Sequence, residues 1–165
     1  MNKHIYLLLG ANQGEKLQNL RKAKQEISLQ AGAIVKVSSL YQTAAWGKND
    51  QDDFYNEVVE IQTPLNPQQL LSTILQIEKS LGRLRIEKWG ARIIDIDILF
   101  YGEEIVNEAN LKIPHPAIAD RRFALTPLSE ITPDFVHPIL NKTISTLLAE
   151  CTDTLPVVRL DTTGH

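Results

Sequence analysis

The sequence predicts a single α+β domain, and three observations support this prediction. The 165 residues, 43% of them hydrophobic and 22% charged, have the size and composition of one globular domain with a sizeable core. Two segments place apolar residues at helical spacing, and the runs between them are rich in β-branched and aromatic residues, as strands are. Along the chain these elements follow the order β-α-β-β-α-β.

The first half of the chain contains three predicted strands and one helix. His4 to Leu9 is apolar on both faces and predicts a central strand. A loop over Gly10–Gly14 leads into an amphipathic helix near 15–31. Strands are predicted over Ile34–Gln42 and Phe54–Thr63, with a polar connection between them.

The second half adds a helix and the most apolar strand of the chain. A helix near 67–81 begins at Pro67, the second of two prolines, and ends at Gly82, a residue suited to a helix C-cap. The strand covers Ile93 to Tyr101. Beyond it we expect a short hairpin, short helices (one over Ile144–Glu150) and a frayed tail from about 158 to 165.

This order is the split βαβ pattern of ferredoxin-like folds. We therefore expect one domain over residues 1–165: a four-stranded antiparallel sheet with helices on one face, plus short C-terminal helices and strands. The strand over 93–101 is expected to be internal to that sheet.

Charge and cysteine content exclude several classes of protein. The net charge of −3 gives no global basic field for nucleic acid or an anionic membrane. Cys151 is the only cysteine, which excludes an intramolecular disulfide and fits a reducing compartment. The apolar run Ile5–Leu9 is too short for a signal-peptide core or a membrane span. We expect a cytoplasmic monomer with small-molecule partners, no nucleic acid and no membrane.

Two aspartates interrupt the most apolar strand. Side chains alternate across a strand, so Asp95 and Asp97 share one face, with Cα atoms roughly 6.6 Å apart. A lone strand Asp is usually solvated or caps a turn, but a pair in register supports a metal or catalytic site as readily as a structural one. The predicted helices should pack against the other face, so the aspartates should open to a ligand cleft. That other face carries Ile94, Ile96, Ile98 and Phe100.

Basic residues cluster on both sides of this strand. Basic groups beside a carboxylate pair suit a polyphosphate bridged by divalent cations. A solvated run of loop charges, or a simple ion pair between Arg92 and Asp95, would explain the same pattern without a ligand. The usual phosphate-binding glycine motifs are absent from the sequence. The basic residues are Arg83, Arg85, Lys88, Arg92, His115, Arg121 and Arg122.

The run Lys88-Trp-Gly-Ala-Arg92, followed by Asp95-Ile-Asp97-Ile-Leu99, resembles the signature of the 6-hydroxymethyl-7,8-dihydropterin pyrophosphokinases of folate biosynthesis. Flanking segments are similar to that family as well, among them "LLLGANQG", "VSSLYQT", "DFYNEVVEIQT", "IEKSLGRLR" and "IPHPAIADRRFALTPLSEI". Together they span roughly Leu7 to Pro138.

The resemblance implies a ferredoxin-like enzyme that moves the diphosphate of ATP onto the hydroxymethyl oxygen of the pterin and releases AMP. It implies that Asp95 and Asp97 bind two Mg²⁺ ions and that Arg83 and Arg92 act on the phosphates. The residues implied for ATP are Glu78, Arg85, His115 and Arg121, and those implied for the pterin are Thr43, Phe54, Asn56, Trp89 and Phe123.

The sequence departs from the family in places, and two other classes of protein compete with this interpretation. Ala44 and Ala45 follow the threonine where the family often has prolines, and Arg122 stands where a small residue is common, so it is given no role. A two-metal nucleotidyl transferase or nuclease would use a similar carboxylate pair but would need an extended basic groove. An RNA-binding module would need paired aromatic residues on the sheet face, where this sequence has aspartates.

Overall fold

The computed structural model describes residues 4–43, 53–82 and 93–160. The strands are β1 (Ile5–Ala11), β2 (Ala33–Val37), β3 (Tyr41–Thr43), β4 (Phe54–Gln62), β5 (Asp95–Tyr101), β6 (Val106–Glu108), β7 (Leu111–Ile113) and β8 (Val157–Arg159). The α-helices are α1 (Lys16–Gln30), α2 (Pro67–Ser80), α3 (Arg122–Ile131) and α4 (Ile144–Glu150), with a 3₁₀ turn at Ile118–Asp120. Within these ranges, every helix is too short or too polar to span a bilayer.

The main sheet has the ferredoxin-like strand order, which confirms the predicted fold class. Its order is β5-β1-β4-β3-β8, with β2 also paired to β4, and all neighbours are antiparallel. The described sheet therefore has six strands, so the prediction of four was wrong. The strand predicted over 34–42 is two strands, β2 and β3, which pair with different parts of β4.

The break between β2 and β3 is fixed by a carboxylate from α3. Glu130 accepts hydrogen bonds from the Ser39 N–H, the Ser39 hydroxyl and the Tyr41 hydroxyl, the last at 2.6 Å. Burial alone would raise the pKa of Glu130, but these hydrogen bonds and Arg159 outweigh it and hold the pKa below its usual value. The contact sets the position of β3 and therefore of Thr43 at its end.

The strand β5 lies at the edge of the described sheet, so its predicted internal position was wrong. Among the described strands it pairs only with β1, because in this topology the last core strand lies beside the first. An edge strand leaves outward N–H groups that need a partner. Glu78 of α2 provides one, because its buried carboxylate accepts the Ile96 N–H at 2.7 Å.

The two faces of β5 differ in what covers them. Ile96 and Ile98 pack with α1 and α2 in one core cluster, as predicted. Phe100 does not, because an extra residue, Leu99, sits in β5 between the pairs Leu7–Ile98 and Tyr6–Phe100. Such a bulge shifts the residues beyond it to the other face. The predicted position of Phe100 was therefore wrong.

The face opposite α1 and α2 is only partly covered. At the Phe100 end, α3 and α4 form a second core cluster with Tyr6, Val58 and Leu99. At the other end, the chain after α4 returns to the sheet as β8 and pairs Val157 with Thr43. Residues 158–159 are thus part of the sheet, and the prediction that fraying starts near 158 was wrong; residues 161–165 lie outside the described ranges.

Candidate active site

A cavity of about 390 Å³ occupies the uncovered end of this sheet face. It is bounded by the strand ends, by the first turn of α3 with the 3₁₀ turn before it, and by the chain that follows α4. The lining residues are Leu8, Gly10, Thr43, Phe54, Asn56, Asp95, Asp97, Ala117, Asp120, Arg121, Phe123, Asp153 and Leu155.

The floor of the cavity is a row of residues across three strands. Gly10 of β1 pairs with Asp95 on one side and with Asn56 on the other. Side chains in such a cross-strand row lie on the same face. Gly10 leaves the middle of the row without a side chain, since a Cβ there would come within 2.8 Å of the Asn56 Oδ1. The row therefore forms a flat floor between a carboxylate and an amide.

The amide of Asn56 is held in place from β3. Asn56 is buried, and its Nδ2 donates a hydrogen bond to the Thr43 hydroxyl at 3.3 Å. The backbone pairing of Tyr41 with Asn56 and of Thr43 with Phe54 fixes the two strands in register. A ligand on the floor would thus contact an amide whose orientation is fixed by its hydrogen bond to Thr43 before the ligand binds.

Asp95 and Asp97 both line the cavity from the edge strand. Ile96 lies between them and points into the helix-covered core, as strand alternation requires. The aspartates therefore share the cavity face, as the sequence predicted. Among the described residues, no three His, Cys, Asp or Glu side chains converge on one point.

Carboxylate oxygens suit Mg²⁺, which commonly takes one or two carboxylates and completes its shell with water and substrate phosphates. The pair Asp95 and Asp97 fits that pattern, whereas a metal that demands a complete cage of protein ligands does not fit it.

Two aromatic side chains flank the cavity. Phe54 stands at the start of β4, and Phe123 stands in the first turn of α3. The Arg121 guanidinium carbon lies 5.6 Å from the centroid of the Phe123 ring, within the range of a cation–π contact. Arg121 also lines the cavity, so this wall presents an aromatic face beside a cation.

His115 lies next to this wall and is held neutral. Burial and, to a lesser extent, the nearby Arg121 lower the pKa of His115 from 6.5 to about 4. Its Nδ1 accepts the Ala117 N–H at 3.2 Å, which requires that nitrogen to be unprotonated. The backbone N–H of His115 donates to the Leu99 carbonyl at 3.0 Å, which ties the turn to β5.

The structure brings most of the described predicted residues to one place. Thr43, Phe54, Asn56, Asp95, Asp97, Arg121 and Phe123 all line the cavity. His115 borders it through Ala117, and Glu78 lies on the α2 side of β5. Arg83, Arg85, Trp89 and Arg92 lie outside the described residues.

Several lining residues were not predicted. Gly10 lies in the segment "LLLGANQG", and a glycine at this position could have indicated that the backbone approaches a ligand closely. Asp120 is next to the predicted Arg121. Asp153 and Leu155 lie in a short segment with no motif, so only the fold could place them at the cavity.

These features define an α+β protein of ferredoxin-like fold, with a carboxylate pair and two phenylalanines around a cavity on the open sheet face. The family described as 7,8-dihydro-6-hydroxymethylpterin-pyrophosphokinase (HPPK) matches residues 6–133, and the chain belongs to that family. The resemblance seen in the sequence is thereby confirmed.

Curated relatives carry the same description. The chain is 45% identical over 152 residues to the 2-amino-4-hydroxy-6-hydroxymethyldihydropteridine pyrophosphokinase of Synechocystis sp., covering 90% of this chain and 77% of the relative. It is 40% identical over 148 residues to the Aquifex aeolicus protein of that name, covering 90% and 92%. It is also 39% identical to the Pneumocystis carinii folic acid synthesis protein fol1, covering 92% of this chain but only 20% of that longer protein.

Solved structures support the fold independently. Crystal structures of wild-type Plasmodium falciparum HPPK-DHPS with pteroate and with STZ-DHP align with TM-scores of 0.74 and 0.75. The alignments cover 91% of this chain and 44% and 43% of those chains, at 19% and 20% identity. At that identity the match shows the fold alone.

Proposed function

We propose that this chain transfers the diphosphate of ATP to 6-hydroxymethyl-7,8-dihydropterin, giving AMP and the pterin diphosphate, in folate biosynthesis. Membership of the family supports this activity. The observation that carries it is the cavity itself, because Asp95 and Asp97 open onto the same space as the Asn56 amide and the Phe54 and Phe123 rings.

The cavity suits a pterin, which has two flat apolar faces and an edge of hydrogen-bond donors and acceptors. Phe54 and Phe123 would pack on the faces of the ring. The Asn56 amide offers both a donor and an acceptor to the ring edge, and the Thr43 segment supports it. Gly10 leaves room for the ring to lie on the floor. Each contact matches one chemical feature of the proposed substrate.

Asp95 and Asp97 would hold Mg²⁺, and we propose two ions, as the sequence resemblance implies. When bound, the ions supply positive charge to the oxygens of the polyphosphate. The protein's own contribution is to hold both carboxylates on the strand β5. Ile96, which lies between them, donates its backbone N–H to the Glu78 carboxylate, and this bond fixes the strand at that point.

In the proposed reaction the hydroxymethyl oxygen attacks the β-phosphorus of ATP. The bond from that phosphorus to the α,β-bridging oxygen breaks, AMP leaves with the bridging oxygen, and the hydroxyl proton is lost to water. Such transfers depend on positioning and on charge stabilisation more than on covalent help. Arg121 lies at the cavity and would meet the ATP, with neutral His115 behind it.

Four of the remaining proposed residues, Arg83, Arg85, Trp89 and Arg92, lie outside the described ranges, whereas Glu78 lies within them. We propose that Arg83 and Arg92 act on the phosphates, that Arg85 assists with ATP and that Trp89 closes over the pterin. Glu78 is proposed to contribute on the ATP side through β5, since it holds the strand and does not itself line the cavity.

The test is to incubate the protein with ATP, Mg²⁺ and the pterin alcohol and to separate the products. We expect AMP and the pterin diphosphate in equal amounts, with no AMP when the pterin is omitted. ADP as the product would indicate an ordinary kinase. Cleavage of an oligonucleotide instead would indicate the competing two-metal nuclease or nucleotidyl transferase.

We also propose that the protein is a cytoplasmic monomer. Its single cysteine, the half-buried Cys151, fits a reducing compartment. Light scattering during size-exclusion chromatography should give a mass near 18.6 kDa, and cell fractionation should recover the protein with cytoplasmic markers. A dimer mass or membrane recovery would contradict this proposal.

A further inference from the structure

The segment from Cys151 to Leu155, which joins α4 to β8, forms one wall of the cavity. Asp153 and Leu155 both line it. Two residues beyond Leu155, Val157 pairs with Thr43, so the segment closes the side of the cavity between α3 and β3. The segment lies outside the helices and strands, and the Cys151 backbone N–H, which donates to the Leu148 carbonyl at 3.3 Å, joins only its first residue to α4. Its position therefore depends on contacts from neighbouring elements.

Two of these contacts come from the side chain of Arg122, the first residue of α3. Its Nε donates to the Asp153 carbonyl at 2.9 Å, and its Nη2 donates to the Cys151 carbonyl at 3.0 Å. A guanidinium is planar and rigid, so two such bonds fix both the distance and the angle of the segment. The segment is thus held by the residue that directly precedes Phe123.

The side chain of Asp153 adds a further attachment, in which the segment supplies the acceptor and the backbone of α3 supplies the donor. The Asp153 Oδ2 accepts the backbone N–H of Arg122 at 3.2 Å, and its Oδ1 accepts the backbone N–H of Leu155 at 3.0 Å. The N-cap residue of α3, Arg121, makes no capping hydrogen bond with its own side chain. Asp153 therefore satisfies an N–H at the start of α3, where a carboxylate also interacts favourably with the helix dipole.

We propose that Arg122 is a positioning residue for the pterin substrate, acting through the wall formed by Asp153 and Leu155. Its two side-chain hydrogen bonds set the gap between Phe123 on α3 and Leu155 on the returning chain. Leu155 then supplies an apolar contact to the edge of the bound ring. This inference rests on the proposed function, because it takes the pterin to be the occupant of that gap.

The experiment compares steady-state constants for Arg122→Gln, Arg122→Lys and Leu155→Ala with a matched control. The control is Glu150→Gln, which removes an exposed ion pair with Lys142 one residue before the segment and does not reach the cavity. For Arg122→Gln we expect KM for the pterin to rise about tenfold while kcat changes by less than about twofold, because lost preorganisation weakens binding. Arg122→Lys should recover only part of this loss, since an ammonium cannot reproduce the two-pronged contact.

Leu155→Ala tests the wall without disturbing its attachment. It should raise KM for the pterin about threefold to tenfold, with a smaller effect on KM for ATP. Glu150→Gln should match the wild type in both constants. If Arg122→Gln folds poorly, Leu155→Ala still tests the wall. Leu155 is only half buried, so its truncation should leave the protein folded.

The two proposals can fail separately. A wild-type protein that forms no AMP from ATP and pterin would overturn the proposed function and this inference with it. An active wild type whose Arg122→Gln and Leu155→Ala variants keep the wild-type KM for pterin would overturn only this inference. A lowered melting temperature with unchanged KM would also overturn it, because Arg122 would then serve stability alone.

Discussion

Acidic side chains lie on both faces of the central sheet, and those of Glu57, Asp95 and Asp97 differ in burial and in what surrounds them. On the face covered by α1 and α2, Glu57 of β4 is fully buried and pairs with Lys24 of α1 at 2.9 Å. On the opposite face, Asp95 and Asp97 are only half buried and open onto the cavity. One carboxylate is matched by a cation of the fold itself, whereas the other two are placed where a ligand can reach them.

The same contrast appears between neighbours on β1. Leu9 points into the helix-covered core and pairs across the sheet with Glu57. Gly10 points to the cavity and pairs with Asn56. A shift of one residue along a strand thus separates a position in the helix-covered core from one that opens to the cavity. Substitutions on the two faces should accordingly change different measured quantities.

The largest effect on stability is expected at the buried ion pair. Lys24→Ala removes the ammonium that pairs with the buried Glu57 carboxylate, and removing one partner of a buried pair costs about 3–5 kcal/mol in the free energy of unfolding. Urea denaturation should show this loss, while KM for ATP and for pterin stays unchanged. The control is Lys142→Ala, which breaks an exposed pair with Glu150 and should cost less than about 1 kcal/mol. Equal losses for the two variants would contradict the contrast between the faces.

The next effect falls on the rate and not on stability. Arg92 lies outside the described residues, and the sequence resemblance gives it a role on the phosphates. Arg92→Ala should raise the activation free energy by about 2–4 kcal/mol, the scale for removing one preorganised electrostatic group. Single-turnover kinetics should show a slower chemical step with little change in pterin affinity. A variant that instead loses stability would indicate that Arg92 serves only an ion pair with Asp95.

A smaller effect is expected at the cavity floor. Gly10→Ala would place a Cβ 2.8 Å from the Asn56 Oδ1, so the amide must shift from its bond to Thr43. We expect KM for the pterin to rise about tenfold, or ~1.4 kcal/mol. Leu9→Ala is the matched control on the other face, and it should lower the free energy of unfolding by about 2–5 kcal/mol without changing KM. Reversed outcomes for these two neighbours would contradict the assignment of faces.

A further effect concerns the pH dependence of stability. The folded protein keeps His115 neutral down to about pH 4, whereas the unfolded chain protonates it near pH 6.5. The unfolded state therefore binds more protons between these values, and stability should fall as the pH drops from about 6.5 to about 4. His115→Asn should flatten this slope in urea denaturation series. Near pH 8 both states hold a neutral ring, so no pH slope is expected there, and the same pH profile in both proteins would contradict the account.

The fold class and the shared face of Asp95 and Asp97 could be predicted from the sequence because both follow from local patterns. Strand alternation alone placed Asp95 and Asp97 on one face, and helical periodicity gave α1 and α2. The resemblance contributed Asn56, Phe54 and Phe123, which lie far apart along the chain.

The errors have physical causes that the local pattern does not contain. The bulge at Leu99 reversed the face of Phe100, because one extra residue breaks a period of two. The apolar character of β5 suggested an internal strand. The strand lies at the edge, and the Glu78 carboxylate of α2, not a further strand, accepts the hydrogen bond from its Ile96 N–H. The wall at Asp153 and Leu155 depends on hydrogen bonds with Arg122, which is far away in the sequence. No spacing or motif in the sequence predicts such a contact.

We propose that the half-buried carboxylates of Asp95 and Asp97 on the open face serve the transfer reaction, whereas the helix-covered face of the sheet serves stability. The most direct measurement is single-turnover AMP formation for Asp95→Ala and Asp97→Ala, beside pterin titration and thermal unfolding of the same proteins. Asp134→Ala, an exposed surface change, is the control. We predict that AMP formation falls by at least about 100-fold in both variants while pterin affinity and melting temperature stay near those of the control. Near-normal turnover in both variants, or a loss of stability that accounts for the lost rate, would contradict the claim.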